Sequence, residues 1–160
     1  MPIFVYLQSM EQLPELKFPP VELNVRREAD GRDYIPDIVR GGYLLLTPEE
    51  YVRRHLIGYL MSECGVELRS IVTEYPVALN GTAQRADVVV VEPSGRPLLL
   101  AECKAPGVVI DRQVLGQAVR YNSVLRARYI VLTNGVRHYC YECGDEGCFP
   151  LRAFPDLRIK

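Results

Sequence analysis

Apolar residues recur every three to four positions in two segments of the chain, which is the spacing of one face of an α-helix. The first segment begins at Thr47 and Pro48, a pair typical of a helix N-terminus, and ends before Gly65. Glu50 lies three residues after Thr47, so we expect its carboxylate to close a capping box. The second segment covers residues 111–127. The pattern therefore predicts two amphipathic helices.

Continuous apolar runs bounded by turn residues occur between and after these segments, and they predict buried strands. Three runs, at residues 70–79, 86–91 and 97–103, are joined by short turns, which predicts an antiparallel meander. A fourth run at 129–134 follows the second helix, and a fifth strand is expected at 137–142. The chain after the fifth strand shows no periodicity. Strands and helices in this order predict an α/β fold.

The first part of the chain has a weaker pattern. Four prolines and scattered apolar residues occupy residues 1–24, which predicts an irregular arm packed on the domain. Turn signals at Asp30 and Gly41 predict a small β meander or hairpin before the first helix. No internal repeat or linker divides the remainder, and a chain of 160 residues suits one compact unit. Residues 25–160 are therefore expected to form a single domain.

Composition and charge narrow the class of protein. No run of about 18 apolar residues is present, and the N-terminus lacks the basic region and apolar core of a signal peptide. We therefore expect a cytoplasmic protein with no membrane partner. The net charge of -1 provides no overall attraction to a polyanion. Binding to nucleic acid would then require a local basic face and a metal ion that bridges phosphates.

Five cysteines are scattered along the chain, an odd count that fits reduced thiols better than a disulfide framework. This agrees with a cytoplasmic location. Cys140 and Cys143 form a C-x₂-C pair with Cys148 and His138 nearby, which leaves a zinc-stabilised interaction domain as one alternative. Zinc is not expected there, because His138 and Cys140 fall on an apparent strand and no second well-spaced pair exists.

The candidate chemistry lies on the second and third strands of the meander. Glu102 and Lys104 are two residues apart, so their side chains leave the same face of a strand, while Cys103 points to the other face. A tight turn at 93–95 places residue i opposite roughly 189 minus i. By this register Asp87 lies opposite Glu102, and the three charged residues share one pocket.

Two carboxylates held together repel, and the arrangement is tolerable when a hard cation such as Mg²⁺ lies between them. We expect Asp87, Glu102 and the backbone carbonyl of Cys103 to bind this metal, with Mn²⁺ as a substitute. Lys104 can orient a metal-activated water or stabilise charge on a phosphorane-like transition state. The simpler alternative is that both carboxylates lie in solvent at strand ends, with Lys104 as a surface salt-bridge partner.

Four motifs, in the order RADVVV, LLLAECKAP, QAVRY and YIVLTNGVRHYC, resemble the N-terminal nuclease domain of the R subunit of type I restriction enzymes. That family lies within the PD-(D/E)xK superfamily, and the resemblance covers residues from about Val25 to Tyr141. It implies a restriction-endonuclease-like fold, in which a central mixed β-sheet is flanked by helices. Ala86 stands where the proline of the superfamily name occurs, and this position supplies no ligand.

The resemblance also implies roles for individual residues. Asp87, Glu102 and Lys104 correspond to the catalytic triplet, and Gln117 with Tyr121 corresponds to a Gln-x-x-x-Tyr pattern found after the Glu-x-Lys strand. Positions i and i+4 share a helix face, so both side chains can reach a common ligand. Gln117 is then expected to be catalytic and Tyr121 to bind substrate, although Tyr121 taken alone favours core packing.

Two further residues are candidates for this site. Arg120, on the second helix, is expected to contact substrate phosphates, and a solvated helix face is the alternative. Glu50 is a possible additional carboxylate from the first helix, with helix capping as the more ordinary role.

Three functions remain open at this point. The favoured one is a Mg²⁺-dependent DNA endonuclease domain of weak intrinsic specificity, acting alone or with motor or specificity subunits of a restriction-modification system. The chain contains no Gly-x-x-x-x-Gly-Lys-Ser/Thr loop, so ATP-driven translocation is not expected from it. The second function is a catalytically silent DNA-binding or assembly module of the same fold. The third is the zinc-stabilised interaction domain.

Overall fold

The computed structural model describes residues 13–158, in which the chain forms nine β-strands and two α-helices. The helices are α1 (Pro48–Ser62) and α2 (Arg112–Leu125), and a short 3₁₀ turn occupies Leu68–Ser70. The strands are β1 (Arg26–Arg27), β2 (Asp33–Pro36), β3 (Tyr43–Leu45), β4 (Ile71–Leu79), β5 (Thr82–Val91), β6 (Pro97–Cys103), β7 (Tyr129–Thr133), β8 (His138–Gly144) and β9 (Gly147–Leu151).

The main sheet contains six strands in the order β4-β5-β6-β7-β8-β9. Neighbouring strands are antiparallel except for β6 and β7, which are parallel and are connected through α2. The pairs Val88–Ala101 and Val89–Leu100 follow the register predicted from the turn between β5 and β6. The prediction of an α/β fold with a central mixed sheet flanked by helices is confirmed.

The two helices cover opposite faces of this sheet. Apolar side chains of α1 pack on one face, and those of α2 pack on the other, because strand residues alternate between the two sides. The α1 side contains Val52, Leu56, Leu60, Val90, Leu99, Ala101 and Val131. The α2 side contains Ala118, Tyr121, Val89, Leu100, Ile130 and Leu132. The central strands are therefore buried on both faces, as their unbroken apolar runs predicted.

The chain before α1 covers part of the α1 side. Residues 13–24 have no helix or strand, and Leu16, Phe18 and Leu23 are buried in the core beneath them. The strands β1, β2 and β3 form a separate small antiparallel sheet, as the turn signals predicted. Residues 1–12 of the expected arm lie outside the described residues, and the division into an arm and one domain stays a prediction. Neither helix in the described part is long and apolar enough to cross a membrane.

The end of the chain differs from the sequence prediction. Residues Gly147–Leu151, which showed no periodicity, form the edge strand β9, and this strand pairs with β8. Cys143 and Cys148 are opposite each other in that hairpin, with Cα atoms 4.0 Å apart, and they form a disulfide. The expectation of reduced thiols is therefore wrong for this pair. A count of cysteines could not reveal the bond, because it depends on a strand without an apolar pattern.

A buried amide at the end of α2 provides a test of this fold. The Asn122 side chain donates a hydrogen bond to the Ala127 carbonyl at 2.9 Å and accepts one from the Ala127 N–H at 2.8 Å. These bonds close the turn into β7, in which Arg126 adopts a left-handed conformation with φ 56°. We expect Asn122→Ala to lower the free energy of unfolding by about 1 to 3 kcal/mol, because two buried backbone groups lose their partners.

Urea denaturation monitored by circular dichroism measures this loss, and Ser123→Ala is the matched control. Ser123 is the next residue of α2, and its exposed hydroxyl donates to the Arg120 carbonyl within the helix. Its replacement is expected to change the free energy by less than about 0.5 kcal/mol. Equal losses in the two variants would contradict the role assigned to Asn122.

Candidate active site

The candidate site lies where β5 and β6 end their regular pairing. The pairs from Val90–Leu99 to Val88–Ala101 lead directly to Asp87 and Glu102. The Asp87 carboxylate accepts a hydrogen bond from the Cys103 N–H through Oδ2 at 2.7 Å. This bond ties the side chain of Asp87 to β6, one residue away from Glu102. Asp87 and Glu102 are therefore neighbours, as the register argument predicted, and their catalytic role stays a prediction.

The Glu102 carboxylate is the unusual group of the site. The residue is 6% exposed, and its Oε1 is buried without a hydrogen-bond partner in the described residues. Burial, and after it the charge of Asp87, raises the pKa of Glu102 well above its ordinary range, while Lys104 offsets part of this effect. The Glu102 carboxyl is hydrogen-bonded to Asp87, but a charged carboxylate with one buried oxygen unpaired beside a second carboxylate is unfavourable, so the pair needs a proton or a cation.

The geometry argues against an ordinary surface ion pair. Glu102 is buried and Lys104 is half-buried, and within the part of the chain that the structure describes Lys104 forms no salt bridge with either carboxylate. Lys104 follows Glu102 at the end of β6, where its N–H donates to the Thr133 carbonyl at 2.9 Å. The ammonium group therefore acts on the carboxylates without a direct bond to them.

The oxygen atoms of this site suit a small hard cation. No group of three or more His, Cys, Asp or Glu side chains in residues 13–158 is arranged to hold a metal. Mg²⁺ is commonly bound by one or two carboxylates and keeps several waters, so Asp87 and Glu102 could hold it. Oε1 of Glu102, which has no hydrogen-bond partner in the described residues, is the atom best suited to bind such a cation.

Gln117 and Tyr121 are adjacent on the inner face of α2. The Tyr121 side chain is 4% exposed, and its hydroxyl accepts from Gln117 Nε2 at 2.9 Å and donates to Gln84 Oε1 at 3.3 Å. Tyr121 therefore packs in the core on the α2 side and orients two amides. Arg120, the neighbouring residue, is exposed on the helix surface. Substrate binding by Tyr121 and Arg120 stays a prediction.

Arg53 of α1 is a residue of this site that the sequence pattern did not indicate. It lies off the apolar stripe of the helix, yet it is only 7% exposed. Its guanidinium bonds to Glu50 through Nε at 3.1 Å and through Nη2, and to Glu74 through Nη1 at 2.5 Å. Nη1 also lies 3.5 Å from the Asp87 carbonyl oxygen. Arginines outside the apolar stripe of a helix are usually solvated, so the apolar pattern of α1 did not predict that Arg53 is buried.

The pairing of Glu50 with Arg53 changes the role expected for Glu50. Thr47 does cap α1, because its hydroxyl accepts from the Glu50 N–H at 3.1 Å. The reciprocal bond of a capping box is absent, since the Thr47 N–H donates to the Leu45 carbonyl instead. The buried guanidinium offers the Glu50 carboxylate stronger, charge-assisted bonds than a backbone N–H does. Burial raises the pKa of Glu50, and Arg53 opposes that rise.

Glu74 interrupts the pairing of β4 with β5. Its φ is 53°, a left-handed value, and the regular pairs on either side are Thr73–Val88 and Tyr75–Ala86. Residues two apart in a regular strand lie on the same face of the sheet, yet Val88 packs on the α1 side and Ala86 packs on the α2 side. The alternation of side chains in β5 is therefore reversed at Asp87, which lies between them. The sequence did not predict this interruption, because glutamate is not a residue type that favours a left-handed conformation.

One comparison with known proteins decides the family. A family model described as the type I restriction enzyme R protein N terminus matches residues 48–155. This chain belongs to that family. The match contains every candidate residue named above, from Glu50 to Tyr121, and it supports a restriction-endonuclease-like fold for the R protein N-terminal domain. No curated protein sequence matches the chain.

The cysteine-rich end of this R protein N-terminal domain does not bring the considered zinc ligands together. Cys140 packs in the core on the α1 side, whereas Cys143 and Cys148 are bonded to each other on the α2 side. His138 is hydrogen-bonded through Nδ1 to the Thr133 hydroxyl at 2.7 Å, and through Nε2 to the Lys17 carbonyl oxygen, which accepts, at 2.9 Å. These four residues therefore belong to the packing of β8 and β9.

The raised pKa of Glu102 predicts how the stability of the metal-free domain depends on pH. A carboxyl group whose pKa is higher in the folded state than its unfolded value of about 4.3 stabilises the fold fully below the unfolded pKa. That contribution is lost as the pH rises toward the folded pKa. In EDTA, we therefore expect the free energy of unfolding to fall between pH 5 and pH 8, by about 1 to 3 kcal/mol from this group.

Urea denaturation of Glu102→Gln at the two pH values tests this expectation. The neutral amide removes the titrating group, so the variant should lose less stability at pH 8 than the parent protein does. Glu67→Gln, which changes an exposed carboxylate paired with Arg69, is the control and should follow the parent protein. The same pH dependence in the parent and in Glu102→Gln would contradict the assignment.

Proposed function

We propose that this domain is a Mg²⁺-dependent DNA endonuclease that hydrolyses phosphodiester bonds at Asp87 and Glu102. The observation that carries the proposal is the buried Glu102 carboxylate, whose Oε1 has no partner in the described residues and which lies beside a second carboxylate. When both carboxylates are charged, their repulsion destabilises the fold, and a cation between them would relieve it. Membership of the type I restriction R protein family supports a nuclease module of a restriction enzyme.

The metal would be held by Asp87, Glu102 and the backbone carbonyl of Cys103, with Mn²⁺ as a substitute for Mg²⁺. When bound, Mg²⁺ polarises the phosphodiester and lowers the pKa of a coordinated water. The hydrogen bond from the Cys103 N–H keeps Asp87 at the end of β6 beside Glu102, so the two carboxylates could share one cation. With a cation bound there, their oxygens would help to orient the attacking water with respect to the scissile phosphate.

Lys104 and Gln117 complete the proposed machinery. Lys104 leaves the same face of the chain as Glu102, and its positive charge stabilises the negative charge that develops on the phosphate. The Gln117 amide donates to the Tyr121 hydroxyl, which fixes its orientation and leaves the carbonyl oxygen on the opposite side. That oxygen can accept a hydrogen bond from water or from the sugar. Tyr121 then acts by orienting Gln117.

DNA is the proposed substrate, with Arg120 as an exposed contact for its phosphates. The described residues offer no recognition helix or zinc finger for reading bases, so we expect weak sequence specificity from this domain by itself. Motor or specificity subunits of a restriction-modification system would supply the selection of sites. A cytoplasmic location agrees with such partners and stays a prediction.

One observation favours the alternative of a catalytically silent DNA-binding or assembly module. The described residues bring two side-chain carboxylates together and no larger group of metal ligands. Glu50, the possible additional carboxylate, is bonded to Arg53. A site with so few protein ligands binds its metal weakly until the phosphate of a substrate contributes oxygens.

Cleavage of supercoiled plasmid and single-stranded DNA with Mg²⁺ or Mn²⁺ tests the proposal. We expect Asp87→Asn, Glu102→Gln and Lys104→Ala to lower the cleavage rate by about 100-fold or more, because each removes a metal ligand or the stabilising cation. Lys17→Ala is the matched control, since Lys17 is an exposed lysine outside the site and its variant should cleave like the parent protein. DNA binding without cleavage in all the proteins would favour the silent module.

The role of Gln117 is tested by comparing two glutamines of α2. Gln117→Ala should lower kcat by about 10-fold or more with little change in metal affinity, because the residue orients water or sugar and is not a ligand. Gln113→Ala is the control, since Gln113 is exposed at the start of the same helix. Similar rates for the two variants would show that Gln117 has no part in the reaction.

A further inference from the structure

The ion bridge formed by Arg53, Glu50 and Glu74 connects three elements of the fold. Arg53 and Glu50 lie in α1, Glu74 lies in β4, and the bridge reaches the Asp87 carbonyl oxygen in β5. A guanidinium has five N–H donors in a planar fork, so one side chain can bond to all three groups. The bridge therefore joins α1 to the strand that carries the first catalytic carboxylate.

The left-handed conformation of Glu74 needs an external cause. A φ of 53° is unfavourable for a residue with a β-carbon, and such conformations persist where the surrounding structure imposes them. Glu74 is neither in a turn nor at a strand end, since the pairs Thr73–Val88 and Tyr75–Ala86 continue on both sides of it. Its carboxylate bonds to the buried Arg53 at 2.5 Å, which is a contact from another element that could hold this conformation in place.

The interruption at Glu74 lies opposite Asp87 of β5. Without a regular partner in β4, the Asp87 carbonyl oxygen approaches Arg53, and the Asp87 carboxylate approaches the Cys103 N–H. The residues before and after Asp87 pack on opposite faces of the sheet. Stability alone does not explain a buried ion bridge, because apolar side chains of similar volume often serve as well or better.

We infer that Arg53 is a positioning residue for the site: through Glu74 and the Asp87 carbonyl it maintains the interruption between β4 and β5 that directs the Asp87 carboxylate to β6. The inference rests on the proposed function for its purpose, and the geometry of Asp87 can be measured without metal or DNA. Arg53 does not contact the reacting atoms. It acts through the backbone of Asp87.

The reporter for this inference is the Cys103 amide, because its hydrogen bond to Asp87 Oδ2 exists only while Asp87 is correctly placed. Hydrogen exchange measured by NMR compares its protection with that of the Leu100 amide in the same strand. We expect Arg53→Gln to speed exchange at Cys103 by about 10-fold or more relative to Leu100, and Arg53→Lys to have a smaller effect. Asp87→Ala defines complete loss of the bond.

Arg54→Gln is the matched control, since Arg54 is the next residue of α1, carries the same charge and forms no salt bridge in the described residues. It should leave the ratio of Cys103 to Leu100 protection unchanged. A merely structural role of Arg53 would speed exchange at both amides equally. That result, or an unchanged ratio in Arg53→Gln, would overturn the inference.

A second pair of variants applies if Arg53→Gln does not fold. Glycine adopts a positive φ readily, whereas valine favours an extended backbone. Glu74→Gly should therefore keep the interruption and protect the Cys103 amide better than Glu74→Val does. Protection of the Cys103 amide in Glu74→Val equal to that in the parent protein would overturn the inference, because this variant has neither the bond to Arg53 nor a preference for a positive φ.

Calorimetric titration with Mn²⁺ separates this inference from the proposed function. The affinity for Mn²⁺ should fall by about 10-fold or more in Arg53→Gln and stay unchanged in Arg54→Gln, because a displaced Asp87 is a poorer ligand. A parent protein that binds Mn²⁺ and cleaves no DNA would overturn the endonuclease and leave the inference in place. If Arg53→Gln leaves both the Mn²⁺ affinity and the ratio of Cys103 to Leu100 protection unchanged, the positioning role alone would be overturned.

Discussion

Two carboxylates at the end of a sheet repel each other more strongly as they lose contact with water, and the site of this domain depends on that repulsion. Glu102 is buried, and its Oε1 has no partner in the described residues, while Asp87 is tied to the adjacent strand by the Cys103 N–H. When both groups are charged, the arrangement raises the energy of the metal-free fold, and the proposed cation would relieve that repulsion.

The architecture confines the repulsion between the two carboxylates to one end of the sheet. Buried apolar residues of the central strands, sandwiched between α1 and α2, stabilise the region next to the site. The parallel pair β6 and β7 brings the ends of two strands together, and Asn134 after β7 donates to the Val108 carbonyl at 2.8 Å. The loop that follows Lys104 is therefore held in place. A rigid base of this kind allows an unfavourable group to be kept at a functional position.

The opposite end of the sheet has a different electrostatic character. A cleft of about 980 Å³ lies there between the start of β7 and the segment after α1. Its arginines, Arg69, Arg128 and Arg158, are exposed, and each is paired with an acidic residue nearby. Such pairs contribute little to stability and leave no concentrated charge. The pairing of Arg53 at the other end differs because it is buried and reaches the backbone of Asp87.

Local periodicity and turn chemistry in the sequence determined both helices, the central strands and the register that joins Asp87 to Glu102, because these features depend on residues close together along the chain. Tertiary structure alone decided the burial of Arg53, the left-handed Glu74, the bond between Cys143 and Cys148 and the edge strand β9. Each of these depends on groups from elements distant in sequence, and neither an arginine nor a glutamate signals whether its partner will be water or a buried ion.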